Sequence, residues 1–215
     1  MTARLTLVAP AVSGGLRAAV FGADGPLDAT GRRAAERARA AGTPRADRAW
    51  TAPAAHCRET AGALRLRAEG RAELADWDAG AWRGRPLAEV AAERPREVEA
   101  WLTDPEAAPH GGESLAALLA RTGEWLGSVP QGRTVAVADP ALVRAALVRA
   151  LGLPPAAFWR LDVAPLAATE LVGRGGRWNL RVGAVLGGWA RGRCSGAGRL
   201  VVLLCADRRN ATGGS

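Results

Sequence analysis

The sequence contains no lysine and no tyrosine, and among its 215 residues it has only two histidines and three cysteines. Every strongly basic side chain is therefore an arginine. Together with the abundance of alanine and glycine, this is expected of a GC-rich coding sequence. The cysteines, Cys57, Cys194 and Cys205, are odd in number and have no CxxC spacing. This argues against a disulfide framework and against a structural zinc site.

Long apolar runs are also lacking. No stretch reaches the ~18 uninterrupted apolar residues of a membrane-spanning helix, so no membrane partner is expected. A strand-like run, Leu5 to Val8, follows Met1 almost directly and leaves no room for a signal peptide, which predicts a cytoplasmic location. The length and the hydrophobic content of 48% predict one α/β domain with a full core.

The net charge of +8 is unevenly distributed. The segment from Ala184 to Ser215 holds five arginines against one acidic residue, Asp207. Because this segment is rich in glycine and has no amphipathic period, we expect a disordered or loosely docked tail after a domain at residues 1–183. An edge strand at Leu200 to Leu204 is the alternative. A nucleic-acid partner would rest on the arginines of this tail alone, and we do not expect one.

Apolar runs alternate with helix signals along residues 1–183. Strands are predicted at Leu5–Val8, Arg48–Thr51, Thr134–Ala138, Trp159–Val163, Thr169–Val172 and Arg177–Val182. Helices are predicted from Asp28 or Thr30 to about Ala41, around Cys57, at Leu87–Glu93, at Pro95–Leu102, after Gly111–Ser114, and at Ala141–Leu151. This alternation predicts a three-layer α/β sandwich with a mostly parallel central sheet.

The order of short motifs adds to this pattern. They are Leu27, Gly31, Ala35 and Glu36; Pro53, Glu59, Thr60 and Ala61; Gly80, Trp82 and Gly84; Gly111 to Ser114; Arg144; and Phe158, Trp159, Thr169, Glu170, Trp178 and Leu180. In order and spacing, the chain from Leu5 to about Val182 resembles the histidine phosphatase (phosphoglycerate-mutase-like) superfamily. The resemblance implies that family's α/β fold.

The resemblance also implies a set of catalytic residues, and the corresponding positions can be located in this sequence. The family uses a nucleophilic histidine, two arginines, a second histidine and a carboxylic acid. In this chain, Ala9 stands at the first arginine, Pro10 at the nucleophile, His56 at the second arginine, Asp139 at the second histidine and Asp76 at the acid. Four of these five groups are lost, and the fifth is one methylene shorter than glutamate. We therefore expect a degenerate member that lacks both catalytic histidines.

A pocket with these residues has a changed charge preference. Asp76 and Asp139 repel a phosphate dianion by about 1 kcal/mol per pair of charges in water-like surroundings, and by more when desolvated. Together with His56 they form a candidate site for a divalent metal. The alternative for Asp139 is that it caps the helix that begins at Pro140.

Further candidates for ligand binding are Arg58, Trp77, Trp82, Glu113, Ser114 and Arg144. Trp77 and Trp82 flank the former phosphate site, whereas the tryptophans in periodic segments, such as Trp101 and Trp159, are interpreted as structural. Cys57 is expected in the core, since adjacent helix residues point about 100° apart and it does not share a face with His56. The loop residue His110 is expected to be solvated.

We expect a protein that is inactive as a phosphatase and that binds a small molecule, a divalent cation or a protein partner, which includes a second copy of the chain. No cofactor is expected. The alternative is a divergent or repurposed phosphatase of metabolite phosphomonoesters, for example in cobalamin or sugar-phosphate metabolism. Fold-level similarity does not choose the ligand.

Overall fold

The structure, a computed structural model, describes residues 2–182. The predicted tail at residues 184–215, with its alternative strand at Leu200–Leu204, lies outside the described residues. The predicted boundary after residue 183 therefore stays a prediction.

Six strands form one mixed sheet in the order β3-β2-β4-β1-β5-β6. Their bounds are β1 Ala3–Val8, β2 Arg48–Thr51, β3 Ala68–Gly70, β4 Gly132–Val137, β5 Ala168–Arg174 and β6 Arg177–Arg181. The pairs β2/β3, β2/β4 and β1/β4 are parallel, while β1/β5 and β5/β6 are antiparallel. The predicted mostly parallel sheet is confirmed.

The two central strands are buried on both faces. In β4 the consecutive residues from Thr134 to Val137 are all buried, and in β1 the same holds from Leu5 to Val8. Since successive side chains of a strand point to opposite faces, helices must cover the sheet on both sides. This arrangement gives the three layers that the alternating pattern predicts.

Seven α-helices and three short 3₁₀ helices lie among the described residues. The α-helices are α1 Gly14–Arg17, α2 Ala29–Ala41, α3 Ala55–Ala63, α4 Leu87–Glu93, α5 Pro95–Thr103, α6 Leu115–Ser128 and α7 Pro140–Leu151. The 3₁₀ helices are Ala72–Leu74, Gly80–Trp82 and Pro155–Arg160. Local sequence sets several ends: the side chains of Asp28 and Ser114 cap α2 and α6, and Gly152, in the left-handed conformation, ends α7.

Two predicted details of the strands are wrong. The strand predicted at Trp159–Val163 is instead the end of the 3₁₀ helix Pro155–Arg160, followed by irregular chain. Proline at the start of this segment favours a helical turn, and Phe158 is buried in an aromatic cluster. The edge strand β3 was not predicted, because three residues with one glycine show no alternating pattern.

A close backbone contact fixes the segment that carries Asp76. The amide of Glu113 donates to the carbonyl of Asp78 at 2.8 Å, and the amide of Ala81 donates to that of His110 at 2.8 Å. Gly80 has a φ of +47° at this contact, and a Cβ there would overlap the His110 carbonyl oxygen. Only glycine satisfies both conditions.

Replacing Gly80 by alanine tests this contact. Gly80→Ala should lower the free energy of unfolding in urea by about 2 to 4 kcal/mol, since overpacking adds to left-handed strain. Gly84 is the matched control: its φ is +80°, but a Cβ there would meet nothing within 4 Å. Gly84→Ala should lose only about 1 to 2 kcal/mol through strain. Equal losses in the two variants would contradict the close contact.

Candidate active site remnant and adjoining cleft

The carboxyl ends of β1 and β4 place the nucleophile position beside that of the second histidine. Val8 pairs with Val137 in parallel register, so the chain continues side by side into Ala9–Pro10 and Ala138–Asp139. Ala9 and Pro10 are buried, and the amide of Ala11 donates to Thr60 Oγ1 at 3.0 Å. The loop is therefore held in place, but it offers no nucleophile.

His56 and Asp139 form a buried pair at this edge. His56 Nε2 lies 2.6 Å from Asp139 Oδ1, and the two residues are 1% and 2% exposed. His56 lies in the first turn of α3, and Asp139 immediately precedes α7. Asp139 occupies the predicted capping position, yet its side chain makes no capping hydrogen bond. Its carboxylate is hydrogen-bonded to His56 instead.

Cys57 contacts the same carboxylate. Its thiol donates to Asp139 Oδ2 at 3.4 Å. Cys57 is buried in the main core cluster, as expected, but it also reaches the polar pair from the neighbouring helix position. The ligand atoms of His56, Cys57 and Asp139 all lie within 4.8 Å of one another.

Burial and charge shift the titration of these groups. Burial by itself lowers the pKa of His56, but the hydrogen bond and the negative charge of Asp139 outweigh it, and the pKa is raised. Burial, followed by the charge of Asp139, raises the pKa of the Cys57 thiol far above its ordinary range. The contact with Asp139 thus favours the protonated form of His56, and the raised pKa keeps Cys57 in its thiol form, which is not nucleophilic.

Asp76 is the acid that faces the adjoining cleft. Burial first, and the negative charge of Asp139 second, raise the pKa of Asp76 from its ordinary 3.8 to about 7. Arg121 fixes this stretch of chain, since its Nη2 donates to the carbonyls of Ala75 and Asp76 at 3.0 and 3.2 Å. Asp76 is therefore held in place but is only partly ionised at neutral pH.

The cleft has a volume of about 220 Å³. Side chains from seven separate parts of the chain line it, and they include Phe21, Asp76, Trp77, Trp101, Arg144 and Trp159. Ring centroids in this wall lie close together: 5.1 Å for Trp77 and Trp101, and 4.7 Å for Trp101 and Trp159. The cleft is mostly apolar, with a cluster of aromatic rings, one carboxyl, one guanidinium and the imidazole of His110.

Two of the six further ligand candidates, Trp77 and Arg144, line the cleft. Trp82 is 1% exposed and lies behind the wall, with its ring 5.8 Å from that of Trp101. The side chain of Ser114 caps α6.

The other two candidates are engaged elsewhere. Glu113 forms an ion pair with Arg121 through contacts of 2.6 and 3.0 Å. Arg58 is exposed and donates to the carbonyl of Pro53. Their ligand-binding roles stay predictions, and their present partners give no support for them.

Several cleft residues were missed or misjudged from the sequence. The sequence favours a structural role for Trp101 and Trp159 and gives no signal for Phe21, yet all three line the cleft. His110 was expected to be solvated, but it is 4% exposed and lines the cleft. Its Nδ1 accepts from the amide of Gly112 at 3.0 Å, and burial lowers its pKa. Nothing in the local sequence distinguishes this loop histidine from a solvated one.

Comparison with known proteins identifies the class to which this fold and sheet edge belong. Residues 16–184 match the histidine phosphatase superfamily (branch 1), and the chain belongs to this superfamily. The matched region begins after Leu7–Ser13, the segment in which the sequence lacks the family's signature arginine and histidine. A search of curated proteins found none that matches the chain.

Solved structures agree with this assignment. The chain is similar to mycobacterial hydrolase 1, with 26% identity, a TM-score of 0.73, and coverage of 85% of this chain and 98% of that one. It is similar to mycobacterial glucosyl-3-phosphoglycerate phosphatase in its VO₃ complex, with 27% identity, a TM-score of 0.72, and coverage of 83% and 97%. The chain is also similar to the α-ribazole phosphatase of Shigella flexneri, with 19% identity, a TM-score of 0.72, and coverage of 83% of this chain and 95% of that one. At this identity the similarity shows the fold alone. No described helix has the length and apolar character needed to span a bilayer.

The raised pKa of Asp76 predicts a pH-dependent stability. A carboxyl whose pKa is higher in the folded state disfavours folding increasingly as pH rises from about 3.8 to about 7. Asp76→Asn should therefore raise the melting temperature at pH 8 by several degrees, and clearly less at pH 5. One kcal/mol corresponds to about 2 to 4 °C at this chain length.

Asp78→Asn is the matched control for this test. The hydrogen bond from the Gly80 amide, and then that from Arg83, lower the pKa of Asp78, so its stabilising effect is present above pH 4 and is lost in acid. Its removal should slightly lower the melting temperature at pH 8. A gain for Asp76→Asn that is equal at both pH values would show that Asp76 titrates normally.

Proposed function

We propose that the chain is a histidine phosphatase superfamily member that does not catalyse phosphoryl transfer and that uses the cleft beside the former active site to bind a small organic molecule. The observation that carries this proposal is the buried Ala9–Pro10 turn at the nucleophile position. Proline has no group that can be phosphorylated.

Neither nearby residue of suitable chemistry replaces the missing nucleophile. The Nε2 of His56 is hydrogen-bonded to Asp139, and the residue is 1% exposed, so this nitrogen is not available for attack on phosphorus. The thiol of Cys57 is buried and protonated. The lining of the adjoining cleft within residues 2–182 includes one arginine, Arg144, so the two guanidiniums that would hold the transferred phosphoryl oxygens are not both present there.

The cleft supports the binding part of the proposal. It is concave, largely apolar and furnished with a few polar groups, as small-molecule sites commonly are. Arg144 is the arginine that lines it among the described residues, and Asp76 opposes a second negative charge. A phosphate dianion is therefore a poor ligand, whereas a less charged organic molecule fits. A protein partner, a second copy of the chain and a cytoplasmic location stay predictions.

The purified protein should not hydrolyse p-nitrophenyl phosphate above background, and it should form no acid-labile phosphoenzyme with a radiolabelled donor. The reason is the absence of an imidazole at Pro10. The mycobacterial glucosyl-3-phosphoglycerate phosphatase is a suitable positive control for both assays.

Turnover that survives purification and disappears in His56→Ala would overturn the proposal. The alternative, a divergent phosphatase of metabolite phosphomonoesters, would then stand. Its first substrates to test would be those named for the similar structures, glucosyl-3-phosphoglycerate and α-ribazole phosphate.

A divalent cation is the second candidate ligand, and one observation favours it. His56, Cys57 and Asp139 bring nitrogen, sulfur and oxygen atoms together in a buried cluster, a donor set that suits Zn²⁺. Of the three ligands predicted from the sequence, His56 and Asp139 belong to this cluster, while Asp76 lies on the cleft side. A bound cation would have to replace the hydrogen bond between His56 and Asp139.

For this second candidate, Zn²⁺ should raise the melting temperature, and Asp139→Asn should abolish the rise while the metal-free variant stays folded. A hundredfold excess over Kd stabilises by about 2.7 kcal/mol, which a thermal shift assay resolves. Asp78→Asn, an exposed carboxylate outside the cluster, is the control and should respond as the wild type does. Stabilisation by phosphate or sulfate but not by metals would contradict the cation site.

A further inference from the structure

The aromatic wall of the cleft is continuous. The rings of Trp77, Trp101 and Trp159 lie 4.7 to 5.8 Å apart between centroids, and the ring of Phe158 lies 5.0 Å from that of Trp159. At these separations the rings contact one another. The wall therefore offers a surface on which an apolar group packs.

Arg144 is the unpaired charge of the cleft. Among residues 2–182, no carboxylate or carbonyl accepts a hydrogen bond from it, and its Nε is buried without a partner. Its guanidinium lies 5.8 Å from the centre of the Phe158 ring. A guanidinium held in apolar surroundings without an acceptor gains strongly from a carboxylate, whose geometry it matches with two parallel hydrogen bonds.

A second donor in the same wall also lacks an acceptor. Trp101 Nε1 is buried with no hydrogen-bond partner in the described part of the chain. A buried N–H without a partner is unfavourable. Two N–H donors of the cleft lining thus lack an acceptor among the described residues, which favours a ligand that brings one.

The surrounding charges limit how negative that ligand can be. Arg144 repels an organic cation, while Asp76, with Asp139 behind it, repels a dianion. The volume of about 220 Å³ lies below the about 300 to 1,000 Å³ of pockets for drug-sized molecules. A small apolar molecule with a single negative charge avoids both repulsions and fits this volume.

We propose, on the basis of the proposed function, that the cleft binds a small apolar monocarboxylate, with its carboxylate on Arg144 and its ring or alkyl chain against Trp77, Trp101 and Trp159. The aromatic wall supplies most of the contact area. Arg144 selects the head group.

Probes that share one ring and differ in head group test this proposal. Binding of phenylacetate, phenethylamine and phenyl phosphate to the full 215-residue chain is measured by titration calorimetry, with acetate as the head group alone. Phenylacetate should bind most tightly, and acetate should be much weaker because it lacks the apolar body. In Arg144→Gln the affinity for phenylacetate should fall about tenfold or more, as expected when a charged hydrogen-bond partner is lost.

Two further variants separate charge from position. Arg144→Lys keeps the charge but loses the planar fork, so its affinity should fall between those of the wild type and Arg144→Gln. Arg37→Gln removes an exposed arginine of α2 outside the cleft and should bind phenylacetate as the wild type does. If Arg144→Gln does not fold, the lysine variant and the probe series still decide.

Four results would overturn the proposal. Tighter binding of phenethylamine would assign the cleft to an organic cation on Asp76, and tighter binding of phenyl phosphate would assign it to a phosphoryl group. Absence of binding by every probe, or equal affinity in the wild type and Arg144→Gln, would also refute the monocarboxylate. Hydrolysis of phenyl phosphate is a separate readout, because it would refute the proposed lack of catalysis whichever probe binds best.

Discussion

The buried hydrogen bond between His56 and Asp139 determines the character of the whole sheet edge. His56 Nε2 and Asp139 Oδ1 lie 2.6 Å apart, and both side chains have almost no exposed surface. A buried charge is tolerated only with a partner, so each residue depends on the other. The pair links the first turn of α3 to the start of α7 across the carboxyl ends of β2 and β4. By the resemblance, His56 and Asp139 stand where the superfamily signature has an arginine and a histidine, and here they are hydrogen-bonded to each other.

The buried pair also affects the pKa values of the groups around it. Burial first, and the charge of Asp139 second, raise the pKa values of both Cys57 and Asp76. The thiol is thereby kept protonated, and the carboxyl that faces the cleft is kept partly neutral. Ala9 and Pro10 add no charge at the end of β1. At this edge the Ala9–Pro10 segment and the His56–Asp139 pair are buried together.

The cleft beside this edge is built by a different set of contacts. The backbone contact at Gly80 and the hydrogen bonds from Arg121 fix the segment with Asp76 and Trp77 against the loop at His110. Helix α5 and the 3₁₀ helix Pro155–Arg160 complete the wall with Trp101 and Trp159. Membership of the superfamily establishes the scaffold, whereas the ligand is decided by these particular side chains.

The sequence by itself determined the α/β class and most helix and strand bounds, and the family resemblance predicts the residues at the five site positions. These features depend on local sequence patterns, which are apolar runs, capping residues such as Asp28 and Ser114, and the order of motifs. Only the tertiary structure decided that His56 pairs with Asp139, that His110 is buried and that Trp101 and Trp159 share a wall with Arg144. Such contacts join residues that are far apart in the chain, and His56 and Asp139 are separated by 83 positions. The spacing of residues in a sequence carries no information on which side chains meet when sheet and helices pack, because packing in three dimensions alone brings them together.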